Sequence, residues 1–183
     1  MSWGTFKSIL LPALEGKAFG NNISSFSKTF TSAYDVAIKS GGDTINHIPL
    51  MTGNVSAMEA TLTSLLMQTQ LSKTIGLLDV VGPAVISYWT GGQMMLFPPP
   101  IIPSPGSIKN ITTTLGIVLS PGAWSPIPVP PSNSSEPFLN AFITSAKTHL
   151  TTVSGTYSVI AQYPPPAPPA PGIVLWSGYT VSD

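Results

Sequence analysis

The chain is 183 residues long with seven lysines, no arginine, seven carboxylates, two histidines and no cysteine, so its formal charge is zero. Only 8% of residues are charged, against about 25% in ordinary soluble domains. That excludes a nucleic-acid binder, which must neutralise several phosphates with clustered cations, and it excludes disulfides, thiolate metal sites and cysteine nucleophiles. A largely neutral surface also fits a freely diffusing monomer poorly; burial in an assembly or a membrane fits it better.

The first 20 residues hold one short apolar patch, Ile9 to Leu14, interrupted by Pro12, and no leader with a cleavage site, so no secretory signal is expected. Phe26, Phe30, Tyr34, Ala37 and Ile38 then recur on one face of a 3.6-residue helix, with Ser24 or Ser25 as its cap and Gly41-Gly42 as its stop. After the connection GGDTINHIPLMTG, the pattern Ser56-x-x-Glu59 predicts a capping box, with Val55, Met58, Leu62, Leu65 and Leu66 as an apolar stripe. A third helical stretch is expected from about 72 to 95, kinked at Gly82-Pro83. The 28 residues from Val80 to Ser107 carry no charge, yet Gly82, Pro83, Gly91 and Gly92 divide them too finely for a membrane span of about 20 apolar residues. Membrane association through residues 80–97 stays as the alternative reading, with a membrane partner not expected.

A fourth helix is signalled near 135–153. Ser134 or Ser135 caps it, Glu136 meets the dipole, Pro137 sits at an allowed early position, and Phe138, Leu139, Phe142, Ile143, Ala146 and Leu150 line one side. Ile111–Leu119, the segment GTYSVIAQY and Gly172–Tyr179 have strand composition. These elements predict an α+β fold: helices in the N-terminal part, one further helix near 135–153, and short strands with extended polyproline segments in the C-terminal half.

Composition changes near residue 80. Of 20 prolines, 18 lie from Pro83 onward, and residues 80–135 hold a single charge, Lys109. The chain therefore divides into a helical part, 1–79, with the look of a self-contained core, and a Pro-rich, charge-poor part, 80–183, the two forming one folding unit. FPPPIIPSPG at 97–106 echoes YPPPAPPAPG at 163–172, and GIVL follows both, at 116–119 and 172–175. An internal duplication, about 73–124 and 139–180, is one account of the echo, and shared composition is the other.

Catalytic chemistry has little to build on. His47 and His149 show no metal-ligand spacing and are expected to be unrelated surface residues, and no two carboxylates stand three or four apart. The glycine pairs match no nucleotide-binding loop. Pro100-Ile-Ile-Pro103 has the spacing of a polyproline docking ligand, but no cation lies within five residues of it, so a structural role is the better reading. No cofactor, no metal and no enzymatic activity are expected. The expected interface residues are large apolar groups on extended segments: Phe97, Pro98, Pro99, Pro100 and Ile101, then Trp124, then Tyr163, Pro164 and Pro165, and finally Trp176 and Tyr179.

MSWGTFK at 1–7, SAYDVAIKSGGDTIN at 32–46 and ISYWTGGQMMLFPPPIIPSPGSIKNI at 86–111, together about 48 of 183 residues, resemble small virion structural proteins of T4-like contractile-tailed phages, those of cyanobacteria included. The resemblance implies a structural virion component of the tail, baseplate or neck, present in several symmetric copies. Its partners would be itself and other virion proteins, its location the virion, and it brings no catalytic residues.

Overall fold

The computed structural model describes residues 2–16, 22–44, 47, 49–71, 77–94, 110–130, 132–162 and 170–183, with backbone only at 69–71, 94, 110–119, 157–162 and 170–174. Among the described residues, five helices and three small antiparallel sheets make the α+β architecture. The Pro-rich segments 97–106 and 163–169 lie outside the described residues.

Helix α1 spans Trp3–Glu15, a helix the sequence patterning missed because Pro12 reads as a break. Pro12, in the last turn, cannot make the bond its N–H would give to the Ser8 carbonyl, but the helix start is well made: Ser2 and Thr5 form a capping box. Trp3, Phe6 and Leu10 form its buried face. Helix α2, Ile23–Ile38, is capped by Asn22, whose Oδ1 accepts from Ser25 N at 3.0 Å, not by Ser24 or Ser25. Helix α3, Val55–Leu71, is likewise capped by an asparagine, Asn54, through Ala57 N at 3.2 Å. Ser56 therefore sits inside the first turn and the expected capping box does not form. In both cases the expectation was two or more residues late, since asparagine competes with serine at this position on nearly equal terms.

Helix α4, Leu77–Trp89, carries Pro83 internally and is buried almost all round: Leu78, Val80, Val81, Gly82, Ala84, Val85, Tyr88 and Trp89 are all covered. A helix apolar on every face is a core helix. Helix α5, Glu136–Thr152, starts where Ser134 Oγ accepts from Glu136 N at 3.1 Å, and Glu136 itself pairs with Lys7 of α1.

Strand β1 (Gly42–Asp43) pairs with β7 (Tyr179–Thr180), and β2 (Leu50–Thr52) with β3 (Gln93–Met94). The main sheet has the order β4-β5-β6, with β4 at Asn110–Ser120, β5 at Ser154–Gln162 and β6 at Ala170–Ser177, all neighbours antiparallel. These are the three strands the composition indicated.

The core does not stop at residue 79, which falls inside α4. Phe142 of α5 stacks on Phe6 at 5.0 Å and meets Phe30 edge-on at 4.9 Å, with Trp3 and Tyr34 at 6.3 and 6.1 Å. The N-terminal helices are thus not self-contained: a ring from residue 142 closes their aromatic centre. Tyr179 ties the C-terminal strand in as well, donating from Oη to Ile38 O at 2.8 Å and accepting from Leu50 N at 2.9 Å. Burial pushes the Tyr179 and Tyr34 hydroxyls up from their ordinary range; for Tyr88 the Asp35 carboxylate adds to burial, as its Oη donates to Asp35 Oδ1 at 2.7 Å. These hydroxyls therefore act as neutral structural donors. Phe142→Ala should cost about 3–5 kcal/mol by removing this ring from a fully packed site. Chemical denaturation measures it, and a loss below about 1 kcal/mol would mean that α5 is not integral to the core.

Candidate functional site: a proline strap and an apolar groove

Residues 121–130, PGAWSPIPVP, have no regular secondary structure. Pro126, Pro128 and Pro130 cannot donate to a ladder or continue a helix, so the segment must find its bonds elsewhere. It finds them on α5. His149 Nε2 contacts Pro121 O at 2.6 Å, Thr152 Oγ1 accepts from Ala123 N at 2.9 Å, and the buried Ser145 Oγ accepts from Ile127 N at 3.1 Å. The strap therefore runs from the C-terminal end of α5 toward its N-terminal end.

Trp124 fastens the strap to α4. Its ring lies where a Cβ on Gly82 would be, 2.3 Å from Trp124 Cδ1, and its Nε1 donates to Leu78 O at 3.1 Å. The same ring sits 5.8 Å from Phe142 and 5.9 Å from His149. Gly82 is therefore needed for close approach, and any side chain there would eject the indole.

Beyond Trp124, strap and helix ends enclose an open groove of about 500 Å³, lined by Leu77, Leu78 and Asp79 of α4, Pro126, Ile127, Pro128 and Val129 of the strap, and Phe138 of α5. Leu77, Ile127 and Val129 are 37%, 38% and 40% exposed. Asp79, the one charge in the lining, sits in the first turn of α4, where the helix dipole favours it. A second depression of about 400 Å³, between α1 and α5, is lined by Trp3, Gly4, Lys7, Asn140, Ile143, Thr144, Lys147 and Asp183. Its two lysines are ion-paired, with Glu136 and with Asp183.

The residues expected at interfaces fare unevenly. Trp176 and Tyr179 are each 2% exposed, and Trp124 is half-buried. This corrects the reasoning that large apolar groups on extended segments lack internal partners. Trp176 lies opposite Gly155 in the β5–β6 register and covers it, Tyr179 meets Trp89 at 5.1 Å, and Trp124 covers Gly82. The missed signal was a glycine on the facing element in two of three cases. Phe97, Pro98, Pro99, Pro100, Ile101, Tyr163, Pro164 and Pro165 lie outside the described residues. The groove was missed entirely, although the alternation Pro-Ile-Pro-Val-Pro at 126–130 indicates an extended segment with two unshielded apolar residues.

The histidines are not a pair of surface residues. His47 is exposed, with a positive φ of 55°, while His149 is buried between Trp89 and Trp124. Among the described residues no group of three or more His, Asp or Glu could hold a metal, and no helix is long and apolar enough to cross a membrane. No known family matches the chain, and neither any curated protein nor any solved structure matches it.

His149 Nε2 donates to the Pro121 carbonyl, a bond either protonation state can make, and it is burial that favours the neutral ring. Burial lowers its pKa below 6.5, the Pro121 bond opposing only in part. The unfolded chain thus binds a proton near pH 6.5 that the folded chain refuses, so His149 lowers stability progressively as pH falls below that value. In His149→Gln, which does not titrate, the decline in stability between roughly pH 6.5 and 5 should be shallower than in the parent, as read by urea denaturation across that range. An unchanged slope would show that His149 takes its proton equally in both states. Gly82→Val should displace Trp124, seen as increased solvent quenching of tryptophan fluorescence, and cost about 1–3 kcal/mol by overpacking.

Proposed function

We propose that the chain is a structural component of a bacteriophage virion, in its tail, baseplate or neck, that works by protein–protein assembly. The observation that carries this reading is where the main sheet leaves the two Pro-rich segments. Asn110 pairs with Gln162, and Ala161 with Ala170. Asn110, Gln162 and Ala170, the strand ends next to residues 95–109 and 163–169, therefore lie at the same end of the three-stranded sheet. Val153 and Trp176, at the opposite end, are in the core. The sheet has its base in the helical body, and the strand ends that adjoin the two Pro-rich segments, whose only charge is Lys109, lie at its other end.

Several features support assembly through side chains over strand addition. Strand β4 shifts register between Thr114 and Val118, and β6 carries Pro171. Both devices spoil an edge for pairing. Between Lys147 and Asp183 no residue is charged, so covering this region strips few charges of water. Leu175 on β6 is 70% exposed, the most open large apolar side chain described. The resemblance of the segments at 1–7, 32–46 and 86–111 to phage virion proteins supplies the particle. Without clustered charge the chain has little means of electrostatic steering toward a transient partner, which a permanent assembly does not need.

Association of the purified full chain should persist from about 0.1 M to 1 M salt, since little of it is Coulombic, and should not need detergent. Sedimentation velocity measures both. A monomer at all salt concentrations, or a chain that stays in solution only with detergent, would contradict the assembly reading, the second result in favour of membrane association. Immunogold labelling of phage particles that carry the gene tests the location, with label on the tail or neck expected and label on host membranes contradicting it.

A further inference from the structure

The strap closes over a buried imidazole. His149 has no exposed surface, and its ring lies between Trp89 of α4, at 6.5 Å, and Trp124 of the strap, at 5.9 Å. Nε2 donates to Pro121 O at 2.6 Å, while Nδ1 is buried and has no partner among the described residues. In the neutral ring Nδ1 is an unused acceptor. In the imidazolium it becomes a second N–H, a buried donor on a buried ion with nothing to accept from it. The two indoles attract a cation only weakly at these distances, which does not replace the water the ion gives up. No counter-ion stands nearby either. Strap residues 121–130 include no titratable group. On α4, Tyr88 is bonded to Asp35 of α2, and Asp79 lies at the far end of the helix from Trp89. Behind Trp89 stand Tyr34 of α2, which accepts from its Nε1, and Tyr179 of β7, which Asp43 of β1 influences. Burial keeps all three tyrosines neutral. On α5 itself, Glu136 and Lys147 are paired with Lys7 and Asp183. Burial and the Pro121 carbonyl are what act on the His149 proton.

Of the walls around this ring, the strap is the weakest. α5 is fixed by Phe142 in the aromatic centre and Trp89 by its bond to Tyr34. In the strap only Pro121, Gly122 and Trp124 are half-buried, and the other residues are exposed. Four of its residues are prolines without an N–H, and α5 holds it through the side chains of His149, Thr152 and Ser145. Gly122, at a φ of 73°, gives the strap a pivot beside Thr152, where a Cβ would come within 2.6 Å of Thr152 Oγ1. A segment with so little buried surface opens at lower free energy than the helices beneath it, and its opening gives the imidazole to water. We propose that His149 is an acid-sensitive latch: on taking up a proton it releases the strap from α5 and lifts Trp124 off Gly82, while the helical core stays folded. The latch belongs to the chain itself and does not depend on the assembly reading. Its direction follows from where the proton is refused. The open form accepts it near pH 6.5 and the closed form only at lower pH, so closure is at full strength above that value. As pH falls, closure weakens by up to about tenfold per pH unit until the buried ring itself titrates. Release uncovers the Gly82 side of α4 and the buried Ser145 hydroxyl of α5.

Amide hydrogen exchange of the full chain from about pH 7.5 to about pH 5, corrected for the intrinsic pH dependence of exchange, tests the latch. The reporters are Ala123 and Ile127, whose amides are bonded to Thr152 and Ser145, and the controls are amides of α2 and α4. Near neutral pH both reporters should be protected, though less than the helices. Toward pH 5 their protection should fall at least about tenfold while the far-UV circular dichroism is unchanged. In His149→Gln, whose side-chain amide can still donate to Pro121 O, that fall should vanish. Ser145→Ala removes one strap bond and leaves the imidazole alone; it should lower protection at Ala123 about fivefold at every pH and keep the slope. Strap protection that does not change with pH, or that falls as steeply in His149→Gln, overturns the proposal. So does strap protection equal to that of the helices throughout, because strap and core would then open as one. If the Gln variant does not fold, proton NMR of the parent decides. The His149 ring and the Ala123 and Ile127 amides should change in one pH step, and a ring that titrates while both amide signals keep their closed positions overturns the latch.

Discussion

The structure depends on the seat of Phe142. Its ring meets Phe6, Phe30, Trp3 and Tyr34 from below and Trp124 from the strap side, so one residue joins α1, α2 and α5 and anchors the segment that crosses to α4. Such aromatic pairs contribute about 0.5–1.5 kcal/mol each beyond the area they bury. More important is the order they impose. α5 is fixed by the core, the strap is fixed by α5 through His149, Thr152 and Ser145, and the sheet is fixed by Val153 and Trp176 at the helix end. Groove and sheet both inherit their positions from that one helix.

Among the described residues, two stretches of the charge-poor range 80–135 have distinct physical explanations. From Val80 to Trp89 the scarcity of charge reflects α4, a helix the chain buries in its own core. From Pro121 to Pro130 it reflects a strap whose inner side is bonded to α5 and whose outer residues Ile127 and Val129 stay open. Only the second leaves large apolar side chains open. A sequence count cannot separate them, because a residue hidden by its own chain and one hidden by a neighbour are selected against charge in the same way.

What could be read from the sequence followed strong local periodicity. The stripes Phe30, Tyr34, Ala37, Ile38 and Met58, Leu62 are buried as expected, and the strands near 111–119, 155–163 and 172–179 form one sheet. Helix α1 escaped because a proline in a last turn looks like a break, and the caps of α2 and α3 were displaced because Asn22 and Asn54 preceded more conspicuous serines. The candidate site was largely illegible. Burial of Trp124 and Trp176 depends on Gly82 and Gly155, which are 42 and 21 residues away in sequence, and no local pattern joins such pairs. The groove arises where three segments end together, which only the packed α5 brings about.

The central claim is that the chain owns a complete core and leaves the strap groove open on its surface. Amide hydrogen exchange followed as a function of protein concentration tests it most directly. The account predicts that α2, α4 and α5 exchange slowly at every concentration, as does Ile127, whose amide is bonded to Ser145, while on the proposed assembly Val129 gains protection only as concentration rises. If the helices themselves became protected only on association, the core would belong to the assembly, not to the chain, and the account would be wrong.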